Sequence, residues 1–403
     1  MNKIQRKLDI EELVKKLDIT PTMFKNAVEK YENLGKYLQG EGLDVSIYPQ
    51  GSFSLGTVVR PYKNLKDTAY DLDFICESNK PKDSTNPKEI KYEAHDILIE
   101  NEMYKKILSE EEYDKCWTLE YAEVDGIDFN MDIVPAVKEN GQGIQELSIK
   151  GLNPYYSNMA IAITNKKNCN YNWSTSNPIA YKEWFQSINN PFLEYNRNER
   201  LMKILNENRS IYASIESIPP EIERSALQRV IQLLKRHRDV YFSKKKEEDN
   251  KPLSAIITTI TAEIAKSAPV NMSIFELLQY VVSEFEIYSN RQNMDEGIFE
   301  ATFIEKRIIN RKQGQWIIMN PVNPKDNLAD GWNEVPIKAK CFFEWVLQVK
   351  KDFLDSIAEP DNEFIVALEN GLGSGFVKSN LNMKNYNFIK AQIITNTPKH
   401  WRR

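Results

Sequence analysis

The sequence is poor in the residues that build zinc sites. Four cysteines (Cys76, Cys116, Cys169 and Cys341) stand apart with no Cys-x-x-Cys spacing, and three histidines (His95, His237 and His400) accompany them, so a structural zinc site is not expected. Long apolar runs are missing as well. None approaches the roughly 20 residues that span a bilayer, and the opening MNKIQRKLDIEELVKKLDIT is charged and periodic, without the apolar core of a signal peptide. The expectation is a cytoplasmic chain with no membrane partner. Positive charge is also in deficit: the net charge is −5, which argues against the strongly basic face that captures duplex DNA but leaves room for a small basic pocket. The basic runs at 244–246 and 399–403 read as solvated loop and tail charge.

What is present is enough apolar material for a large core. With 403 residues and 41% hydrophobic composition, the chain is long enough to divide into two lobes. Residues 10–38 carry apolar positions at helical spacing, broken at Thr20-Pro21, where Thr20 can cap and Pro21 can open a second helix. VSIYPQGSFSLGTVV passes from a short strand through Gly51-Ser52 toward a helix, and YDLDFIC alternates as a buried strand. A helical stretch over 88–108 precedes two strands, 118–124 and 127–134, joined by an Asp125-Gly126 hairpin turn. Asn, Tyr and Trp crowd 153–184; beyond them helices dominate, clearest in IERSALQRVIQLLKRHRDVYF, LSAIITTITAEIAKSA and 339–357. The organisation read from this pattern is a helical brace over 1–45, a mixed α/β core over 46–170 and a mainly helical lobe over 171–403.

The chemistry lies in two strands. In YDLDFIC the period of two puts Asp71 and Asp73 on one face and Tyr70, Leu72 and Phe74 on the other. Like charges side by side on an otherwise apolar strand are costly without a counterion, and a divalent cation is the usual one. IDFNMDIVPAV repeats the device, with Asp128, Asn130 and Asp132 on one face. If the strands are neighbours, three aspartates converge, which suits phosphoryl transfer assisted by two Mg2+ or Mn2+ ions. Gly51-Ser52, at a strand-to-helix junction upstream, offers free amides and a helix dipole to phosphates. A lone Gly-Ser is a weak signal; its position before an Asp-x-Asp strand gives it weight.

These residues resemble the DNA polymerase beta-like nucleotidyltransferases, whose pattern is a Gly-Ser turn, an Asp-x-Asp strand and a third Asp on a later strand. More narrowly, QGSFSLGTVVRP, YDLDFICE, MDIVPAV, WSTSNPIAYKEWF, LQRVIQLLKRHRDVYF and NPVNPKDNLADGW resemble successive motifs of the cGAS/DncV-like nucleotidyltransferases of bacterial anti-phage signalling. The resemblance runs from Gln50 to Trp332. One departure is the longer link between Ser52 and Asp71, through an insertion at 62–68. The resemblance implies an α+β, bilobal, polymerase-beta-like nucleotidyltransferase core with a mainly helical C-terminal lobe and the site between them. It implies Gln50, Gly51 and Ser52 at the donor phosphates, Asp71, Asp73 and Asp132 as catalytic metal ligands, and Lys235 reaching the triphosphate. Arg236 and Arg238 either bind phosphate or pair with local acids. Ser254 either meets the nucleotide or caps its helix. Asn327 and Trp332 either line the pocket or fold the second lobe, and the aromatics of 153–184 either stack on bases or fill the core.

The expected activity is synthesis of a cyclic oligonucleotide, a cyclic dinucleotide first, from ATP, GTP or both, with pyrophosphate released and a cyclic-nucleotide effector protein downstream. A nucleic-acid activator is not expected, because neither a zinc-binding insertion nor a basic surface is present. Two alternatives stand beside it: a linear nucleotidyltransferase acting on RNA, a protein or a small molecule, and a catalytically silent nucleotide-binding sensor.

Overall fold

The computed structural model describes residues 2–124, 127–207, 223–304 and 308–386. The Asp125-Gly126 turn and the basic tail at 399–403 lie outside the described residues, as does the side chain of Asp128. Two capped helices open the chain. Asn2 accepts from the Ile4 amide at the start of α1 (Lys3–Lys15). Thr20 accepts from the Met23 amide at the start of α2 (Pro21–Gly40), with Pro21 in its first turn as the spacing predicts. The helices then part. The buried face of α1 (Ile10, Leu13, Val14) joins the helical core, whereas that of α2 (Met23, Ala27, Leu34, Leu38) packs on the sheet.

The sheet lobe follows in chain order as β1 (Val45–Pro49), α3 (Gly51–Leu55), a small hairpin of β2 (Tyr62–Lys63) and β3 (Lys66–Asp67), β4 (Tyr70–Ser78), α4 (Pro87–Glu100), α5 (Glu102–Ile107), β5 (Trp117–Val124), β6 (Ile127–Lys138), α6 (Gly141–Ile149), α7 (Pro154–Ser157), β7 (Ile161–Lys167) and β8 (Asn170–Ser176). The helical stretch expected over 88–108 is two helices, because Asn101 ends α4 and its side chain caps α5. Six strands form one mixed sheet in the order β1-β4-β6-β7-β8, with β5 beside the first half of β6. The central pair β4–β6 is parallel; the other pairs are antiparallel. The pair β7–β8 carries the sheet on to Ser176, through a stretch whose Asn and Tyr content gave no strand expectation.

The helical lobe comprises α8 (Pro178–Glu207), α9 (Ala226–Lys245), α10 (Ser254–Ala265), α11 (Ile274–Arg291), α12 (Glu296–Thr302), two ribbons β9 (Asn310–Lys312)/β10 (Gln315–Ile317) and β11 (Met319–Asn320)/β12 (Asn323–Asn327), α13 (Asp330–Glu334), α14 (Ile337–Val349), α15 (Asp361–Leu372) and α16 (Ser374–Asn380). Its centre is α9, opened by a reciprocal Ser225–Gln228 capping box and buried over most of its length. The Lys-Arg-His-Arg cluster is therefore not a solvated helix face: Lys235, Arg236, His237 and Arg238 are all buried. His237 takes a hydrogen bond from the Trp345 indole at Nδ1 and donates from Nε2 to Asp352, both at 3.0 Å, which makes it a core fixture of this lobe. Trp332 is buried in the same core, and Asn327 is occupied with the backbone of Trp316, Ile318 and Ala329. Both residues fold the second lobe. No helix among the described residues is long and apolar enough to cross a membrane.

Candidate active site

The register of three strands assembles the site. In the parallel β4–β6 pair Asp73 stands opposite Asp132 and Asp71 opposite Asn130. The apolar alternates Tyr70, Leu72, Phe74, Phe129, Met131 and Ile133 are buried beneath them, so the carboxylates are left on the other face. All three aspartates line one cavity of about 440 Å³. Gly51, Ser52, Lys235 and Ser254 line it too. Gln50 does not: its amide donates to the Asp73 carbonyl at 2.8 Å, tying the start of α3 to β4, and it acts through the backbone.

Gly51 is dictated by geometry. Its φ is +58°, and a Cβ added there would lie 2.6 Å from the Asp73 Oδ2, so neither the backbone nor the space accepts a side chain. The helix it opens has five residues, too short for a sizeable dipole, so the expected dipole contribution to phosphate binding drops out and the close backbone approach remains.

The carboxylates repel each other in a poorly solvated place. Burial, then the charges of Asp132 and Asp71, push the Asp73 carboxyl up to about 7, with Lys235 opposing. Asp71 is raised by burial and eased by a hydrogen bond from the Asn130 amide to Oδ1 at 3.1 Å. Asp132 is likewise raised by burial and eased by the Thr118 hydroxyl, which donates to Oδ1 at 2.5 Å.

Across the cavity α9 presents the cations. Lys235 donates to the carbonyl and hydroxyl of Thr57, each at 3.2 Å. Burial, and then Arg238, lower its ammonium to about 7, with Asp239 and Asp73 pulling the other way. Arg238 pairs with Asp239 at 2.7 Å and donates to the Pro252 carbonyl and the Ser254 hydroxyl. Ser254 is not a helix cap: Leu253 holds that position and makes no side-chain cap bond. Arg236 turns away from the cavity and pairs with Asp67 of the 62–67 hairpin at 2.6 Å. Of the aromatics in 153–184, Tyr181 reaches the cavity, its hydroxyl against Thr259 at 2.7 Å, while Trp184 is core.

No protein-family model matches the chain. It is 28% identical over 358 residues to a c-di-GMP synthase of Roseivirga ehrenbergii, covering 88% of this chain and 80% of that protein. It is 23% identical over 352 residues to the cyclic dinucleotide synthase CdnG of Bradyrhizobium diazoefficiens, covering 83% of this chain and 71% of the other. The solved structure of that CdnG in complex with GTP superposes with a TM-score of 0.65 at 18% identity, covering 94% of this chain and 99% of that one. In sequence and fold the chain resembles the cGAS/DncV-like nucleotidyltransferases. The bilobal α+β architecture expected from the motifs is the fold of this family.

Within this nucleotidyltransferase, several site residues escaped sequence reasoning. Thr118 and Asn130 hold carboxylates, and Thr57, Asp239 and Lys251 shape the charge around Lys235 and Asp71. Asn130 could be seen on the carboxylate face of its strand. Thr118 had no signal, because its place beside Asp132 follows from the β5–β6 register alone.

Proposed function

We propose that this nucleotidyltransferase makes a cyclic dinucleotide from GTP, ATP or both, releasing pyrophosphate at each transfer, as a signal in anti-phage defence read by a downstream effector protein. The observation that carries it is the cross-strand register that gathers Asp71, Asp73 and Asp132 in one cavity facing Lys235. GTP comes first among substrates because a relative at 28% identity is named a c-di-GMP synthase. In this reading Gly51 and Ser52 lie along the donor phosphates, Lys235 supplies a movable positive charge to them, and Ser254, held by Arg238, faces the nucleotide. The protein's share of catalysis is positioning a ribose hydroxyl in line with an α-phosphate and meeting the charge that develops there.

The carboxylates suit one or two Mg2+ or Mn2+ ions. The donor set is oxygen only, and Asp71 and Asp132 each keep one oxygen clear of its cross-strand hydrogen bond. Among the described residues no three acidic, His or Cys side chains already form a metal cage. That is compatible with Mg2+, which is commonly held by one or two carboxylates and completed by substrate phosphates and water. Such ions, when bound, supply charge neutralisation at the triphosphate and acidify the attacking hydroxyl.

The test is to incubate the purified protein with the four ribonucleoside triphosphates and Mg2+ or Mn2+, treat with phosphatase, and identify survivors by mass spectrometry. A phosphatase-resistant cyclic species is expected, and Asp71→Ala with Asp73→Ala should lower its yield at least about a hundredfold without unfolding the protein. Linear products would point to tail addition; tight triphosphate binding without turnover under either metal would point to a silent sensor.

A further inference from the structure

Strand β5 brings a hydroxyl to the third carboxylate. Thr118 is the register partner of Asp132 across the β5–β6 pair, and its Oγ1 donates to Asp132 Oδ1 at 2.5 Å. The threonine is buried, so water does not compete easily for that bond. The strand end that carries it is fixed at two points. The Trp117 indole donates to the Lys91 carbonyl at 2.7 Å, and the Ser109 amide donates to the Thr118 carbonyl at 2.9 Å. A free aspartate side chain rotates about two torsions. A hydrogen bond to one oxygen from a rigid, buried neighbour removes that freedom and directs the second oxygen.

We propose that Thr118 is a positioning residue for the nucleotidyl transfer: it holds one oxygen of Asp132 so that the other faces the cavity and the cation bound there. The inference rests on the reading of Asp132 given above. Asp71 shows the same construction, with Asn130, its own register partner, donating to Oδ1. Asp73 accepts no side-chain hydrogen bond among the described residues and is instead confined against Gly51. Two of the three carboxylates are thus set by cross-strand partners that do not themselves line the cavity. Partners of this kind, removed singly, cost about 10- to 100-fold in metal affinity or activity at characterised metal sites.

The experiment compares Thr118→Val, which keeps the shape and loses the hydroxyl, with Thr118→Ser, which keeps the hydroxyl, and with Asp132→Asn. Two quantities are read: initial rates over a GTP series, and Mn2+ affinity measured by electron paramagnetic resonance in the presence of a non-hydrolysable GTP analogue. Thr118→Val should lower kcat about tenfold or more with KM for GTP changed less than about twofold, and weaken Mn2+ binding by a similar factor. Thr118→Ser should restore both to within about threefold. Thr118→Ala carries the same expectation as valine and replaces it should valine fail to fold by thermal melt. A Thr118→Val enzyme with wild-type kcat and Mn2+ affinity, beside a dead Asp132→Asn enzyme, would overturn the proposal. Retained activity in Asp132→Asn would instead overturn the reading of the site on which it rests.

Discussion

Lys235 carries a conflict that its surroundings were built to hold. Its ammonium is buried, shares its helix with Arg238, and sits near 7 when the ordinary lysine value is about 10.5. A triphosphate in the cavity would favour the charged form and raise that value again. The sign follows from linkage. Above pH 7 the free protein holds Lys235 mostly neutral while the complex holds it charged, so binding takes up a proton and weakens as pH rises, by up to about tenfold per unit. Titration calorimetry of a non-hydrolysable GTP analogue without divalent cation, at pH 8 in two buffers of different ionisation enthalpy, should show this uptake, and Lys235→Met should reduce it. Uptake unchanged in Lys235→Met would place the proton on another group, Asp73 being the first to examine. At this scale the sequence was legible where a period decided the matter. Alternation alone put Asp71, Asp73 and Asp132 on cavity-facing positions, because Leu72, Phe74, Met131 and Ile133 had to go inward. It was illegible where tertiary contacts decided, as for the partners of Arg236, which lie far off in the chain, and for the Pro252 carbonyl that Arg238 meets beside its neighbour Asp239.

The segment from Leu55 to Pro61 connects the Gly-Ser turn to the 62–67 hairpin with no strand of its own, so its carbonyls need partners from elsewhere. Helix α9 provides them. Gln228 donates to Leu55, Gln232 to Val58, Lys235 to Thr57 and Arg236 to Arg60, a stripe at helical spacing laid along an extended chain. Polar residues on α9 that look like an exposed face in the sequence are the seam between the lobes. The insertion at 62–68 completes the seam with a tight hairpin over 62–67, Asn64 and Leu65 lying at positive φ. Its Leu65 amide donates to the Ser243 hydroxyl, its Asp67 pairs with Arg236, and Tyr62 lies under the same guanidinium at 4.8 Å. Asp67→Ala would leave the buried Arg236 charge without its acid and should cost about 1–3 kcal/mol in chemical denaturation. Lys66→Ala in the same hairpin, exposed and with no ion pair among the described residues, should stay within about 0.5 kcal/mol. Equal effects would mean that the hairpin contributes through its backbone rather than this pair. The element missed most completely was β7–β8, because NYNWSTS has one β-branched residue and many Asn and Ser, so its short alternation of Tyr171, Trp173 and Thr175 carries little strand signal and it is a strand through its pairing with β7.

For the molecule as a whole, the cavity lies where two hydrophobic cores meet. One is centred on β4, β6, α2 and α4, the other on α9, α11 and α14. The carboxylates are built on the first and the cations of Lys235 and Arg238 on the second, so the chemistry depends on both being folded and in register. The N-terminal helix belongs to the second core although 40 residues of sheet-lobe sequence, from Pro21 to Arg60, separate it from the seam with α9. It brings Ile10, Leu13 and Val14, all buried, into contact with α9 and α11, and its Arg6 donates to the Ile357 carbonyl at 2.7 Å and pairs with Asp361. Leu13→Ala should therefore cost about 2–5 kcal/mol, and the loss should be felt on the helical side. Hydrogen exchange followed by mass spectrometry should show α9 and α11 losing protection ahead of β4 and β6. As temperature rises, synthesis should fail before the sheet melts, because Lys235 and Arg238 leave the cavity when α9 loosens. Simultaneous loss of protection in both cores would mean that the seam of α9 side chains on the 55–61 segment couples the lobes strongly enough for them to unfold as one cooperative unit.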